Sequence, residues 1–184
     1  MVPIIRRGGG LNRFFLGLSL LCMGAVQPVY AHGDVAEVSI QPVNVMWGAM
    51  DVQGLYFVTG EIGVGARLMV WKPTLGGEKV SYTIVEPLAR YYLKIGDPDI
   101  SPAFGKGAFF GQAGFYQVDI VVGSAKGSMS GPAVGAGYNL TLDNHISFDA
   151  GYELVLVSNV KINGKDYGSA GFGASYILRV GYAF

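Results

Sequence analysis

The sequence predicts an all-β protein, an eight-stranded antiparallel up-and-down transmembrane β-barrel. Three observations support this fold class. Bulky apolar residues alternate with small or polar ones over most of the chain, with the period of two that side chains have on a strand. Hydrophobic residues make up 51% of the sequence and charged residues only 14%. In the clearest alternating segments the charged residues share the less apolar face, whereas the lysines lie between segments or at their ends.

The composition excludes several classes of protein. A soluble domain usually carries about 25% charged residues and about 7% glycine, whereas this chain of 184 residues has 14% charged residues and 29 glycines. A chain with so many apolar residues and so few charges is not intrinsically disordered. The 13 basic and 13 acidic residues balance, so nothing indicates a nucleic-acid partner.

The first 31 residues predict a cleaved secretory signal peptide, which leaves 32–184 as the barrel domain. Three arginines form the positive region, an apolar run over 14–26 is too short to span a bilayer as a helix, and Val29-Tyr30-Ala31 suits cleavage. The single cysteine, Cys22, lies in this segment. We therefore expect no disulfide or thiol chemistry in the mature chain. Its 10 remaining basic residues face 13 acidic ones, so its net charge is −3.

Alternation defines the strands in chain order. The clearest is the last, where bulky apolar residues take every second position from Ala170 to Phe184 without a proline. His145 to Val157 repeats this pattern. The eight predicted strands lie near 38–47, 52–58, 61–71, 80–93, 107–120, 131–141, 145–157 and 169–184.

Two regions leave the register open. The first is 38–58, where the alternation changes phase near Pro42 and a bulge would accommodate the proline. The second is 107–120, where Gln117 and Asp119 share the parity of the apolar residues before them. Either a bulge intervenes there, or the strand has already left the apolar zone.

Turn-forming residues separate the strands. An even strand count puts both ends of the chain on one side, as outer-membrane barrels require, and we expect that side to be the periplasm. The connections 72–79, 123–130 and 158–168, with a tight turn at 48–51, would then face outward. They are short, which argues against a large ligand-binding crown.

Charge placement predicts which face meets lipid. An outward lysine or arginine near the bilayer midplane costs about 2–4 kcal/mol, so the uncharged apolar face is the one expected to contact lipid. The charged face would line the interior, where its side chains must pair, and eight strands leave a lumen packed with side chains. Closure removes the strand edges that hydrocarbon does not tolerate. The predicted interior charge network comprises Glu61, Arg67, Glu86, Arg90, Asp149, Glu153 and Arg179.

The closing strand resembles the C-terminal signal of outer-membrane barrels, with apolar residues at alternate positions before a terminal phenylalanine. The residues that carry this resemblance are Tyr176, Leu178, Val180, Tyr182 and Phe184. The mature chain is similar to small eight-stranded barrels of the OmpA/OmpX type, including the many uncharacterised ones. The resemblance implies a Gram-negative outer-membrane location, contact with outer-membrane lipids and lipopolysaccharide, and recognition by the outer-membrane assembly machinery. It implies neither a particular activity nor an oligomeric state.

We expect a structural or surface-interaction role without catalysis, and two alternatives stay open. His145-Ile146-Ser147 resembles the His-x-Ser of lipid A deacylase barrels of the PagL type, although its position after the turn at 142–144 predicts the periplasmic rim and not the outer leaflet. The other alternative is a narrow, porin-like solute pore. Glycine pairs spaced by two do not complete a nucleotide-binding loop. With one internal histidine and scattered carboxylates, we expect no metal and no cofactor.

Overall fold

A computed structural model describes residues 34–93, 106–169 and 171–184. The predicted signal peptide and the whole connection at 94–105 lie outside the described residues. β-strands form most of the described structure, as the period-two alternation of side chains predicts. The elements are β1 Ala36–Ile40, α1 Pro42–Met46, β2 Met50–Phe57, β3 Ile62–Trp71, β4 Thr74–Leu75, β5 Glu78–Leu93, β6 Lys106–Val122, β7 Ala125–Thr141, β8 Ile146–Val157, β9 Asn159–Ile162, β10 Lys165–Gly168 and β11 Gly171–Ala183.

Eight of these strands close into one antiparallel ring. Each wall strand pairs with the next along the chain, in the order β1, β2, β3, β5, β6, β7, β8 and β11, and β11 pairs back with β1. The closing pairs join Glu37 to Ala183 and Ile40 to Val180. The structure thus confirms the predicted all-β fold class and its eight-stranded antiparallel barrel.

Both described ends of the chain lie at one end of the barrel. Phe184 is hydrogen-bonded there to Val35 and Ala36, and the turns at 58–61 and 142–145 lie at the same end. At the opposite end, β6 and β7 are 17 residues long and meet across Gly123-Ser124. The β9–β10 hairpin adds two strands to β7 beyond the ring.

Several predicted boundaries are wrong. The strand predicted at 38–47 ends at Ile40, and α1 follows, because Pro42 has no N–H for the ladder and suits the first turn of a helix. The connection predicted at 123–130 is a two-residue turn followed by strand. Much of the predicted 158–168 loop is the β9–β10 hairpin, in which Asn163 takes a left-handed conformation with φ of 49°.

The open question at 107–120 is answered by the pairing of β6. Its register with β7 runs without a shift from Lys106–Thr141 to Val122–Ala125. A bulge therefore does not explain why Gln117 and Asp119 share the parity of the apolar residues before them. Gln117 and Asp119 are exposed on the outer face near the far end of β6, so the strand continues past the apolar part of the wall.

The barrel is apolar outside and polar inside. Large hydrophobic side chains on the outer face of every wall strand are exposed, and we call this surface the belt. At the end that carries the chain termini, the belt is rich in aromatic residues. Its exposed members there include Tyr56, Tyr91, Phe109, Tyr138, Tyr182 and Phe184.

Candidate functional site in the barrel interior

The interior holds most of the buried charged side chains of the described residues, and Arg67 on β3 is one centre of them. Its guanidinium donates from Nε to Asp51 Oδ1 at 3.0 Å and from Nη2 to Asp51 Oδ2 at 2.7 Å. Its Nη1 lies 3.7 Å from carboxylate oxygens of both Glu86 and Glu153. Two parallel hydrogen bonds of this kind fix a guanidinium against a carboxylate more firmly than a single contact does.

Arg90 on β5 forms a second centre nearer the end of the barrel that carries the termini. Its Nη1 donates to Asp149 Oδ2 at 2.6 Å, and its Nη2 donates to Gln112 Oε1 at 3.0 Å. The guanidinium carbon also lies 4.0 Å from the centre of the Phe110 ring. The uncharged hydroxyl of Tyr92 accepts a hydrogen bond from Nη1 at 3.3 Å. Every polar group around this cation is therefore supplied by the barrel wall.

Amide side chains connect the two centres. Gln112 Nε2 donates to Glu153 Oε1 at 2.6 Å, while Asn139 Nδ2 donates to Asp149 Oδ1 at 2.7 Å. Glu153 belongs to β8, which lies four places from β3 in the ring of eight, so the contact with Arg67 spans the barrel. We call the connected set the interior network: Asp51, Arg67, Glu86, Arg90, Gln112, Asn139, Asp149 and Glu153.

The seven charged residues predicted for the interior do not all lie there. Six are buried, but Glu61 is exposed in the turn between β2 and β3, where Tyr91 donates to its carboxylate at 3.4 Å. The predicted place of Glu61 in the network is wrong, because β3 begins only at Ile62. Arg179 is buried, yet its Nε and Nη1 have no hydrogen-bond partner among the described residues.

Sequence reasoning missed several interior polar residues. Asp51 fell in a predicted turn, and Glu37 preceded the first predicted strand. Both are buried. Both could have been found from the alternation of side chains along the strand. Glu37 and Ser39 alternate with the outward-facing Val38 and Ile40. Asp51 lies two positions before the buried Gln53 and so faces the same way.

The structure places His145 and Ser147 in different environments. His145 precedes β8 with φ of 66°, and its Nδ1 lies 2.9 Å from Asp34 Oδ1. Its ring packs against Tyr182, with 6.0 Å between centroids. Ser147, in contrast, is buried inside the barrel. Among the described residues, no hydrogen bond joins the imidazole to the Ser147 hydroxyl, as activation of that hydroxyl would require.

The residues of the predicted assembly signal form a continuous exposed row on β11. Tyr176, Leu178, Val180, Tyr182 and Phe184 all point away from the lumen, and the ring of Tyr176 packs on Tyr152 with 5.6 Å between centroids. This row lies on the strand that closes the barrel.

Within the described residues, no helix is both long and apolar enough to cross a membrane. In the same part of the chain, no group of three or more His, Cys, Asp or Glu side chains could hold a metal ion.

The fold and its interior define a closed eight-stranded antiparallel β-barrel with a charged lumen and an apolar outer wall. In comparisons with known proteins, no family model, no curated sequence and no solved structure matches the chain.

Proposed function

We propose that the chain is an integral outer-membrane β-barrel protein of the small OmpA/OmpX type, with a structural or surface-interaction role and no catalytic activity. One observation carries the proposal: apolar side chains are exposed around the ring while arginines and carboxylates are buried within it. In water this arrangement leaves the hydrophobic surface solvated and desolvates the charges. In a bilayer, the same outer face lies in hydrocarbon, and ring closure leaves few unpaired backbone groups there.

The dimensions of the wall support a membrane location. A strand needs about 9–11 residues to cross a bilayer at the usual tilt, and β8 and β11 have 12 and 13 residues. The aromatic residues at the end that carries the termini suit a membrane–water interface. We place that end in the periplasm, the belt against outer-membrane lipids and lipopolysaccharide, and the exposed row on β11 against the assembly machinery.

The far end of the barrel supports a surface-interaction role. There β6, β7, β9 and β10 form a sheet that extends beyond the ring, and its last strand, β10, is exposed along its whole length. Tyr167 is an exposed aromatic residue on this strand. A partner strand could pair with such an edge.

The interior network argues against a solute pore. Contacts from Arg67 to Glu153 and from Arg90 to Asp149 cross the lumen at two levels. We therefore expect no single-channel conductance in planar bilayers. Stable conductance steps from the purified protein would contradict a packed lumen.

Two measurements test the membrane proposal directly. The folded protein should migrate differently on a semi-native gel before and after boiling, as compact barrels do when they retain their fold in detergent. Cell fractionation should recover the protein with the outer membrane. A soluble periplasmic protein without a heat-dependent shift would overturn the proposal.

A further inference from the structure

The ring of strands is incompletely paired on one side. β1 has only five residues and stops pairing with β11 at Ile40 opposite Val180. By continuation of that register, Pro42 would face Leu178, but a proline cannot donate to the ladder. β11 continues to Gly171 without a described strand partner on this side. We call this flank of β11, from Phe172 to Leu178, the seam.

A cavity of about 230 Å³ lies at the seam. Arg67 and Tyr116, from strands that face it across the lumen, line it together with Tyr176 and Leu178 from the unpaired flank of β11. The cavity therefore lies between the lumen and this flank, beside α1. Helix α1 packs against β2 and β11 at this place and contributes Val43 to the lining.

The seam opens within the belt. Phe172 on this flank is 82% exposed on the outer face, and Tyr152, across β11 on β8, is 66% exposed. Unpaired backbone groups are costly in hydrocarbon, and here two side chains form hydrogen bonds with one such group. Gln41 Nε2 and Ser175 Oγ both donate to the carbonyl oxygen of Tyr176, at 3.3 and 3.4 Å.

The polar groups in the cavity indicate what would bind there. Gln41 is only 5% exposed, and its Oε1 has no hydrogen-bond partner among the described residues. A buried amide oxygen without a partner favours a ligand that donates a hydrogen bond. The charge of Arg67 is already met by Asp51, so the site does not require an anion. Apolar lining comes from Val43, Met69, Ile84 and Leu178.

We propose that the seam is a lateral binding site for a single-chain amphiphile with an uncharged, hydroxyl-bearing head group, which enters from the belt. This proposal rests on the membrane location proposed above. The volume of 230 Å³ corresponds to about eight water molecules at about 30 Å³ each. It accommodates a small head group with the first carbons of one chain, while the rest of the chain lies along the belt.

The proposal can be tested by fluorescence quenching with three matched tyrosine-to-tryptophan variants in a Trp47→Phe/Trp71→Phe background. Tyr116→Trp reports on the cavity, Tyr92→Trp on the buried lumen, and Tyr152→Trp on the belt. Each protein is placed in nanodiscs of unlabelled phosphatidylcholine. Monoacylglycerol with bromine on its chain is then titrated, and phosphatidylcholine with brominated chains is titrated separately.

We expect Tyr152→Trp to be quenched by both lipids and Tyr92→Trp by neither. Tyr116→Trp should be quenched saturably by the monoacylglycerol and much less by phosphatidylcholine. Equal quenching of Tyr116→Trp by both lipids, or none by either, would overturn the proposal. Met69→Trp, also in the cavity lining, replaces Tyr116→Trp if that variant does not fold. Loss of quenching in Tyr152→Trp would instead contradict the membrane location itself.

The head-group assignment has its own control. Gln41→Leu should raise the half-saturating monoacylglycerol concentration by about five- to tenfold, as expected for one lost hydrogen bond. Gln53→Leu removes another buried amide, whose oxygen also has no hydrogen-bond partner among the described residues and which does not line the cavity. It should leave the titration unchanged. An unchanged titration in Gln41→Leu would overturn the role of the amide oxygen.

Discussion

Replacing Arg90 should reveal how strongly the interior network holds the barrel together. Arg90 is 1% exposed, and its guanidinium is bonded to Asp149, Gln112 and Tyr92. Arg90→Met keeps most of the apolar volume and removes the charge. Among the described residues, it leaves the buried carboxylate of Asp149 with Asn139 as its remaining hydrogen-bond donor.

The expected loss follows from that stranded carboxylate. Removing one partner of a buried ion pair usually costs about 3–5 kcal/mol, because the other charge is left desolvated. Replacing both partners with apolar groups is often close to neutral. We therefore expect Arg90→Met to lower the free energy of unfolding by about 3–5 kcal/mol. The double variant with Asp149→Leu should recover most of that loss.

The assay is urea unfolding in detergent or lipid, followed by tryptophan fluorescence and analysed as a double-mutant cycle. Arg179→Met is the matched control, because Arg179 is equally buried but makes no salt bridge among the described residues. It should not lower stability, since no partner is stranded and the variant removes a buried guanidinium whose Nε and Nη1 are unpartnered among the described residues. A loss below about 1 kcal/mol for Arg90→Met, or an equal loss for Arg179→Met, would refute the reasoning.

Three further predictions concern the wall and the rim. Val134→Arg, at a belt position that is 57% exposed, should lower stability in vesicles by about 2–4 kcal/mol, whereas Tyr167→Arg on β10 should have little effect on the same urea midpoint. Gly151→Ala should lower the midpoint because its Cβ would clash with a backbone oxygen of β7, while Gly173→Ala, with nothing within 4 Å, should not. The purified protein should release no fatty acid from lipopolysaccharide, and a release that Ser147→Ala abolishes would contradict the separation of His145 from that hydroxyl.

Much of the wall could be predicted from the sequence because side-chain period alone assigns faces. A strand residue and its second neighbour point the same way, so Arg67, Arg90 and Asp149 could be placed inside without knowing the neighbouring strands. The period of the side chains does not show where a strand begins or ends. Pro42 was expected to cause a bulge in a continuing strand, but it begins a helix. As a result, the second strand was predicted to begin near 52 and not at Met50, and Asp51 was assigned to a turn.

The outer hairpins could not be predicted because local composition opposes them. Residues 125–130 are rich in small and polar side chains and indicate a loop, yet they pair along β6 and β9. Pairing with strands that are already fixed outweighs weak local propensity. The partners within the interior network were also beyond the sequence. The contact between Arg67 and Glu153 depends on how the whole ring closes, which no local pattern encodes.

The shortness of β1 has a consequence for the order in which the barrel folds. Its ladder with β11 comprises four residue pairs that lie 140 to 146 positions apart in the chain. Every other wall ladder joins strands much closer in sequence, and near contacts close at a smaller entropic cost than distant ones. We therefore expect the hairpins to form first and the β1–β11 ladder last. With the fewest pairs and the largest loop to close, this ladder should also be the first to open when the barrel unfolds.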